Sequence, residues 1–224
     1  MRVFLSLSAA LIAIAAGITF LQVTTITSIT STPPLTDTYT HQFKGKNLLL
    51  LSSSDVVDTV LRQYPLLDSV SITKQFPGTL VIHTTVATPF VQLTASNSAL
   101  IISSKGKVLS DSDNERLPRI HYYGDIPAYM RRIGSTITFR EITYALKLIA
   151  RLNDNNERPQ EVRIASPRTI ELQLTANAPT YLLTTQKNID KNSQLVHNIQ
   201  EMLKREGIAV SRVDMRYDKP ILIK

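Results

Sequence analysis

The sequence contains no cysteine, which excludes disulfide bonds, cysteine-bound zinc clusters and a thiol nucleophile. Tryptophan is absent too, and only seven glycines occur in 224 residues, which leaves little material for a phosphate-binding loop. No G-x-S-x-G, P-loop, H-E-x-x-H or Rossmann glycine pattern is present. We therefore expect a protein that is not an enzyme and that has no cofactor and no small-molecule substrate.

Residues that could bind a metal ion are few and isolated. The four histidines each stand alone in the local sequence: His41, His83, His121 and His197. Asp111, Asp113 and Glu115 are spaced like the start of a calcium loop, but the glycine and the closing glutamate of an EF-hand are missing. A solvent-exposed turn explains these carboxylates, so no metal site is predicted.

One long apolar segment lies at the N-terminus. Residues 3–23 read VFLSLSAALIAIAAGITFLQV and contain no charged side chain. At about 1.5 Å of helical rise per residue, this segment reaches roughly 30 Å, the thickness of a bilayer core. We expect a transmembrane helix over residues 3–23, with residues 1–2 as a minimal cytoplasmic end and the bulk outside. A cleaved secretory signal is the alternative, because Ala13-Ile14-Ala15 is similar to a cleavage site.

The rest of the chain has the composition of a globular protein. Hydrophobic residues make up 43% of the sequence and charged residues 19%, so the chain can bury a core. The net charge of +7 favours contact with anionic lipid head groups or wall polymers, although solubility is the simpler explanation for scattered basic residues. Since these residues form no concentrated stripe, nucleic acid is not an expected partner.

Residues 24–90 follow a β-α-α-β-β pattern. The helix is indicated by apolar residues at helical spacing from Val56 to Tyr64, and Pro65 ends it. A Pro77-Gly78 turn between two β-branched segments is typical of a hairpin. The predicted elements are a strand over Thr24–Ser31, helical turns within Leu35–Phe43, a helix from Ser52–Asp55 to Pro65, and strands over Ser69–Phe76 and Thr79–Val86.

Residues 91–224 combine short strands with two helices. The first helix, Phe139–Asn153, has an apolar face and is preceded by Thr138, which with Glu141 predicts a capping box. The second, Lys191–Glu206, ends at Gly207. The predicted strands are Phe90–Thr94, Ala99–Ser103, Lys107–Leu109, Pro118–Tyr122, Glu161–Ala165, Thr169–Thr175, Thr180–Thr184, Ala209–Tyr217 and Ile221–Ile223.

Three local sequence patterns follow the single apolar segment, and their order and spacing are informative. Gly45–Leu93 contains a helix followed by Pro65-Leu66-Leu67 and then Pro77-Gly78-Thr79-Leu80 leading into a strand. Leu100–Leu109 reads LIISSKGKVL, and Val210–Lys224 reads VSRVDMRYDKPILIK. In this order and spacing the chain resembles the bacterial division protein family FtsQ, called DivIB in Gram-positive bacteria.

The resemblance implies an α+β fold with one N-terminal transmembrane helix, a POTRA domain over residues 24–90, and a C-terminal domain over residues 91–224 built from antiparallel sheet with two helices. Three departures from the family pattern occur, the first of which is the nearly absent cytoplasmic tail. Val86-Ala87-Thr88-Pro89 keeps only the proline of the family's usual E-R-x-P. In the family a tryptophan often follows the first proline of the POTRA pattern, whereas here Pro65 is followed by Leu66-Leu67. With so short a cytoplasmic end, the exported domains are expected to be the working part.

For function, the resemblance implies a non-catalytic scaffold of the divisome. Such a protein is single-pass in the bacterial cell membrane, with its N-terminus cytoplasmic and its bulk at the outer side of the division septum. The implied partners are membrane-anchored proteins of the FtsB and FtsL type, with septal wall synthases considered as well, and the lipid bilayer through residues 3–23. The alternative is another single-POTRA envelope module, for protein export or envelope assembly.

The last strand pair is the candidate binding surface. A terminal strand with an open edge can pair with a strand from another chain, whereas an interior strand cannot. In the family, the C-terminal strand region receives a segment of FtsB. The resemblance implies that this chain binds its partner through the residues on the family's R-y-d positions, Arg216, Tyr217 and Asp218. It also implies a role for the adjoining edge, Lys219, Ile221 and Leu222.

Overall fold

The computed structural model describes residues 24–32, 41–96, 98–176 and 178–224. They form a mixed α+β fold in two compact units, unit 1 ending at Val86 and unit 2 beginning at Ala87. The predicted cytoplasmic end and transmembrane helix, residues 1–2 and 3–23, lie outside the described residues, as does most of the helical region predicted over Leu35–Phe43. Within the described ranges, no helix is long and apolar enough to cross a membrane.

Unit 1 contains a three-stranded sheet covered by one helix. The strands are β1 Ser28–Thr32, β2 Leu67–Gln75 and β3 Thr79–Val86, and the helical segments are a 3-10 helix His41–Phe43 and helix α1 Ser53–Gln63. In the order β1-β3-β2, β1 is parallel to β3 and β2 is antiparallel to it. This is the order of elements along the chain that the sequence predicts.

Local signals fix both ends of α1. The Ser52 side chain accepts a hydrogen bond from the Asp55 backbone N–H, which satisfies one of the unpaired donors at the helix start. At the other end Pro65 has no N–H to continue the helix. Val56 and Val60 are buried and turn the apolar stripe of α1 towards the core of unit 1.

Strand β1 is shorter than the predicted Thr24–Ser31. The backbone of residues 24–27 forms hydrogen bonds to other segments: the Thr24 carbonyl accepts from the Leu48 N–H, and the Ile26 and Thr27 N–H groups donate to the carbonyls of Lys46 and Gly78. Residues 24–27 are therefore not part of the parallel ladder with β3, which begins at Ser28. Their β-branched composition favours extended backbone without indicating which segment it pairs with.

Unit 2 is built on a nine-stranded sheet. Its strands are β4 Val91–Ala95, β5 Ser98–Ile102, β6 Val108–Asp111, β7 Arg119–Tyr122, β8 Glu161–Ser166, β9 Thr169–Gln173, β10 Thr180–Thr184, β11 Arg212–Asp214 and β12 Ile221–Ile223. The order across the sheet is β12-β11-β10-β9-β8-β7-β4-β5-β6. The helices are α2 Arg140–Asp154 and α3 Ile189–Glu206.

The prediction of an antiparallel sheet is wrong for three pairs of strands. The pairs β4–β7, β7–β8 and β10–β11 are parallel. For two of them the reason is the helix between the strands: α2 connects β7 to β8, and α3 connects β10 to β11. A helix that runs back along the sheet returns the chain to its starting end, so the next strand runs parallel to the one before.

The helices of unit 2 cover one face of the sheet. Side chains alternate along each strand, so Val162 and Ile164 of β8 are fully buried in a core with α2 and α3, while Arg163 between them is exposed. The opposite face carries polar residues such as Gln92 and Arg119, which lie side by side in register on β4 and β7, together with the buried Ile101 and Leu182. The core of unit 2 is therefore a single layer between sheet and helices.

The predicted capping box of α2 does not form. The N-cap residue is Phe139, with no side-chain capping hydrogen bond. Glu141 is buried and accepts a hydrogen bond of 3.0 Å from the Tyr122 hydroxyl of β7, while the Tyr122 ring stacks on Phe139 at 5.6 Å. Burial, and then the hydrogen bond to Glu141, raise the pKa of the Tyr122 hydroxyl. The start of α2 is thus held by tertiary contacts rather than by a local cap.

Two substitutions distinguish these arrangements. Tyr122→Phe removes the donor and leaves the buried Glu141 carboxylate without it, so we expect the free energy of unfolding to fall by about 1–2 kcal/mol. Thr138→Ala, which would cost about 1 kcal/mol if Thr138 were the cap, should change it little. Urea unfolding followed by circular dichroism measures both. A larger loss of stability for Thr138→Ala than for Tyr122→Phe would indicate that Thr138 does cap the helix.

Candidate partner-binding edge

Strand β12 lies at one end of the nine-stranded sheet. It pairs antiparallel with β11 through Ile221, Leu222 and Ile223, and no strand among the described residues pairs with its other side. Strand β11 lies between β10 and β12 and is an interior strand. Of β11 and β12, only β12 has an open edge, where one side of the backbone offers unpaired N–H and C=O groups.

The side chains of this edge are apolar and exposed. Ile221, Leu222 and Ile223 are 50%, 40% and 43% exposed, and Tyr217, in the turn before β12, is 57% exposed. Contiguous apolar side chains on an unpaired edge are typical of protein-contact sites, because such an edge readily accepts another strand.

Strand β11 attaches this edge to the core. Val213 and Met215 are fully buried in the core of unit 2, while Asp214 between them points to the opposite face and is also buried. The strand is shorter than the predicted Ala209–Tyr217. The Met215 N–H still donates to the Leu182 carbonyl of β10, and after Met215 the chain turns away towards β12.

An ion pair orders the turn between β11 and β12. The Arg216 guanidinium binds both carboxylate oxygens of Asp214, with Nη2 at 2.6 Å from Oδ2 and Nε at 2.9 Å from Oδ1. The Arg216 backbone N–H donates to the same carboxylate. These hydrogen bonds, the side-chain one foremost, lower the pKa of Asp214 although burial opposes them, and the carboxylate raises the pKa of Arg216.

A second cation also binds the turn. Lys187, in the loop between β10 and α3, donates from Nζ to the Met215 carbonyl at 3.1 Å and to the Tyr217 carbonyl. Backbone carbonyls at a turn lack ladder partners, so the ammonium satisfies acceptors that would otherwise need water. The turn is thereby attached to the loop that leads into α3.

That loop is itself fixed by buried polar groups. The Tyr144 hydroxyl of α2 donates to the Lys187 carbonyl at 3.2 Å, and it accepts a hydrogen bond of 2.7 Å from Asn192 of α3. Asn192 also donates to the Thr184 carbonyl at the end of β10. Both helices therefore contribute to the position of Lys187, and through it to the position of the turn.

The predicted site residues divide into two groups. Tyr217, Ile221 and Leu222 are exposed along the turn and the edge, and Asp218 and Lys219 are exposed within the turn. Arg216 is partly exposed, but its guanidinium is bound to Asp214, so it orders the turn. Its guanidinium lies 5.9 Å from the centre of the Tyr217 ring and restricts that side chain too.

Sequence reasoning missed Asp214 and Lys187 as organising residues. Asp214 could have been found, since it lies two positions before Arg216 on the same face of a predicted strand. Lys187 could not, because it is 28 and 30 residues away in sequence from the carbonyls it contacts.

Unit 2 has other concave surfaces, one of them lined by His121, Tyr122 and Tyr123. An open groove of about 1020 Å³ is lined by both basic and acidic residues, including Arg116, Arg119, Glu115 and Glu161. Within the described ranges, no group of three histidine or carboxylate side chains could hold a metal ion. The edge at β12 therefore remains the best-defined candidate site in the described part of the chain.

The ion pair predicts how stability depends on pH. Asp214→Asn keeps the shape but removes the charge, so the free energy of unfolding at neutral pH should fall by about 1–2 kcal/mol. Because folding lowers the pKa of Asp214, its contribution is complete above the ordinary value of 3.8 and is lost as the pH falls below it, through the folded-state value. On acidification the variant should therefore lose less stability than the native chain. Urea unfolding over a pH series measures this.

The control is Asp218→Asn, which neutralises an exposed carboxylate in the same turn. It should leave both the stability and its pH dependence nearly unchanged. Equal behaviour of the two variants would mean that the Asp214–Arg216 pair does not contribute to stability.

No model of a known protein family matches the sequence, and no curated protein is significantly similar to it. The resemblance to FtsQ and DivIB thus depends on the motifs of the chain itself.

Proposed function

We propose that the protein is a non-catalytic scaffold of the bacterial division machinery, of the FtsQ and DivIB type. It would recruit and link membrane-anchored division proteins of the FtsB and FtsL type at the septum. The order of its sequence motifs supports this proposal. The observation that carries it is the open, apolar edge at β12, because recruitment by contact requires a surface that accepts another chain.

Strand addition at β12 is the proposed mode of binding. Each backbone hydrogen bond adds a net of about 0.5–1.5 kcal/mol, and β12 has three residues, so the ladder alone would give a weak complex. The exposed side chains of Tyr217, Ile221 and Leu222 would supply the remaining contact area. An extended partner segment with apolar side chains fits such an edge.

Unit 1 is proposed to be a POTRA domain. Its elements follow the β-α-α-β-β order, with the 3-10 helix His41–Phe43 in the first helical place. Two roles are open to it: a spacer that holds unit 2 away from the membrane, or a recruiting surface for further division proteins such as septal wall synthases. In this proposal residues 3–23 form the single membrane span, with the N-terminus cytoplasmic and both units outside.

Disruption of the edge should remove the partner. We expect the double variant Tyr217→Ala and Ile221→Asp to lose its crosslinks to a small coiled-coil membrane protein, because a charge at the edge opposes burial of an apolar segment. The measurement is in vivo photocrosslinking from position 222, followed by mass spectrometry. Both residues are exposed, so the circular dichroism spectrum should stay unchanged.

A matched control is Ile208→Asp, the same chemical change at a residue 37% exposed in the connection between α3 and β11. It should retain the crosslinks. If both variants retain them, strand addition at β12 is wrong. If the crosslinked protein is an export substrate or an outer-membrane component, the chain is an envelope module of another kind.

Loss of the whole protein tests the cellular role. Depletion in the bacterial host should produce long cells that grow without septa, because wall synthesis at the septum would lack its recruited proteins. Microscopy with a membrane stain measures cell length during depletion. Normal division in depleted cells would contradict the division function, whatever binds at β12.

A further inference from the structure

The described part of unit 1 begins at Thr24, directly after the apolar residues 3–23. A turn formed by residues 47–51 is bound to this point. The Leu48 N–H donates to the Thr24 carbonyl at 2.8 Å, and the Asn47 side chain donates to the Thr24 hydroxyl at 2.8 Å. The Asn47 side-chain oxygen also accepts from the Leu49 and Leu50 N–H groups, so the turn has a defined shape.

A second turn, residues 76–78, lies beside the same part of the chain. The Gly78 carbonyl accepts from the Thr27 N–H at 2.9 Å and from the Ser28 N–H at 3.2 Å. A Cβ atom at Gly78 would lie 2.5 Å from the Thr25 carbonyl oxygen, so only glycine permits this close approach. The Lys74 ammonium donates to the Leu51 carbonyl at 2.5 Å and joins the two turns.

Both turns expose large apolar side chains. Leu50 is 82% exposed, Phe76 59% and Leu49 46%. Along the predicted strand Ser69–Phe76, the alternation of side chains puts Phe76 on the same face as Val70 and Ile72. These two pack against the core of unit 1, but Phe76 lies beyond the end of β2 in the turn and projects into solvent.

The surroundings of these side chains are basic. Lys44 and Lys46 are exposed in the segment that leads into the first turn, and Lys74 precedes the second. Residues 41–54 and 69–86 contain no aspartate or glutamate. Exposed leucine and phenylalanine next to lysine, without acidic residues, is the combination that binds an anionic membrane surface. We call the surface of Lys44, Lys46, Leu49, Leu50 and Phe76 the basal surface.

We propose that the basal surface docks on the head-group region of an anionic lipid bilayer. Leu49, Leu50 and Phe76 insert between lipids, while Lys44 and Lys46 extend towards anionic head groups. The inference rests on the proposed anchoring by residues 3–23, because an anchor that ends at Val23 brings Thr24, and the turns bound next to it, to the membrane. Unit 1 then stands on the bilayer at two points, the anchor and the basal surface.

The absence of cysteine makes the test direct, since single cysteines can carry a label in the full chain. An environment-sensitive fluorophore is attached at Leu50→Cys or at Leu66→Cys. Leu66 is the matched control: it is 44% exposed and lies next to Leu67, which pairs with Val86 at the opposite end of the β2–β3 hairpin from Gln75 and Thr79. The full chain is reconstituted into phosphatidylglycerol–phosphatidylcholine vesicles that contain a nitroxide-labelled lipid as quencher.

We expect several-fold stronger quenching by the lipid at position 50 than at position 66. In vesicles of phosphatidylcholine alone, or with Lys44→Glu and Lys46→Glu added, quenching at position 50 should fall. Equally weak quenching at both positions would overturn the inference, and so would a blue-shifted but unquenched label at position 50, which indicates contact with protein.

Extraction of the vesicles at alkaline pH separates this inference from the proposed anchoring. If the chain stays in the membrane fraction and position 50 is not quenched, the anchoring holds and docking of the basal surface is wrong. If the chain is extracted, both are wrong.

Discussion

The crossover by helix α3 determines where the candidate site lies. A helix that connects two neighbouring strands and packs along the sheet brings the chain back to the end where the first strand began, so the second strand runs parallel to the first. Helix α3 does this between β10 and β11, and its apolar side chains need the sheet face beneath them. Once β11 is placed against β10, a short turn leaves β12 only the outer flank. The open edge is thus a consequence of how α3 is packed.

The fixed position of the β12 edge depends on charged residues that bind the turn before it. Asp214 is buried, and its carboxylate would be costly there without the guanidinium of Arg216. Lys187 adds a cation that binds carbonyls of the same turn and is itself positioned by Tyr144 and the start of α3. An edge held in this way presents its backbone and the Tyr217 ring in a fixed geometry, which lowers the entropy lost when another chain binds.

Features encoded by neighbouring residues could be predicted from the sequence, and features encoded by distant contacts could not. Ser52, Pro65 and the Pro77-Gly78 turn determine α1 and the β2–β3 hairpin locally, and Gly207 ends α3 at a positive φ of 64° as its position suggests. The partner of Glu141 was misassigned because its carboxylate can reach either a local cap or Tyr122, and only the packing of β7 decides. The parallel strand pairs likewise depend on tertiary packing rather than on strand composition.

For the candidate edge, the apolar residues 221–223 and Tyr217 were visible in sequence, but their exposure was not. Hydrophobic strand residues occur more often in an interior than at an edge, so the pattern alone does not distinguish the two. The Lys187 contacts join segments that no periodicity relates. The sequence indicated the residues of the candidate edge. Only the structure shows which of them organise the turn and which are exposed to solvent.

The small size of β12 has a kinetic consequence. A three-residue ladder, preceded by Pro220, which has no N–H, cannot support the long zipper-like pairing that makes edge-to-edge aggregates almost irreversible. A complex formed on it would dissociate readily in dilute solution. In the proposed function, the chain and its partner are anchored in the same membrane and meet at a much higher effective concentration, so an edge this short would be occupied there and vacated once the partner is removed.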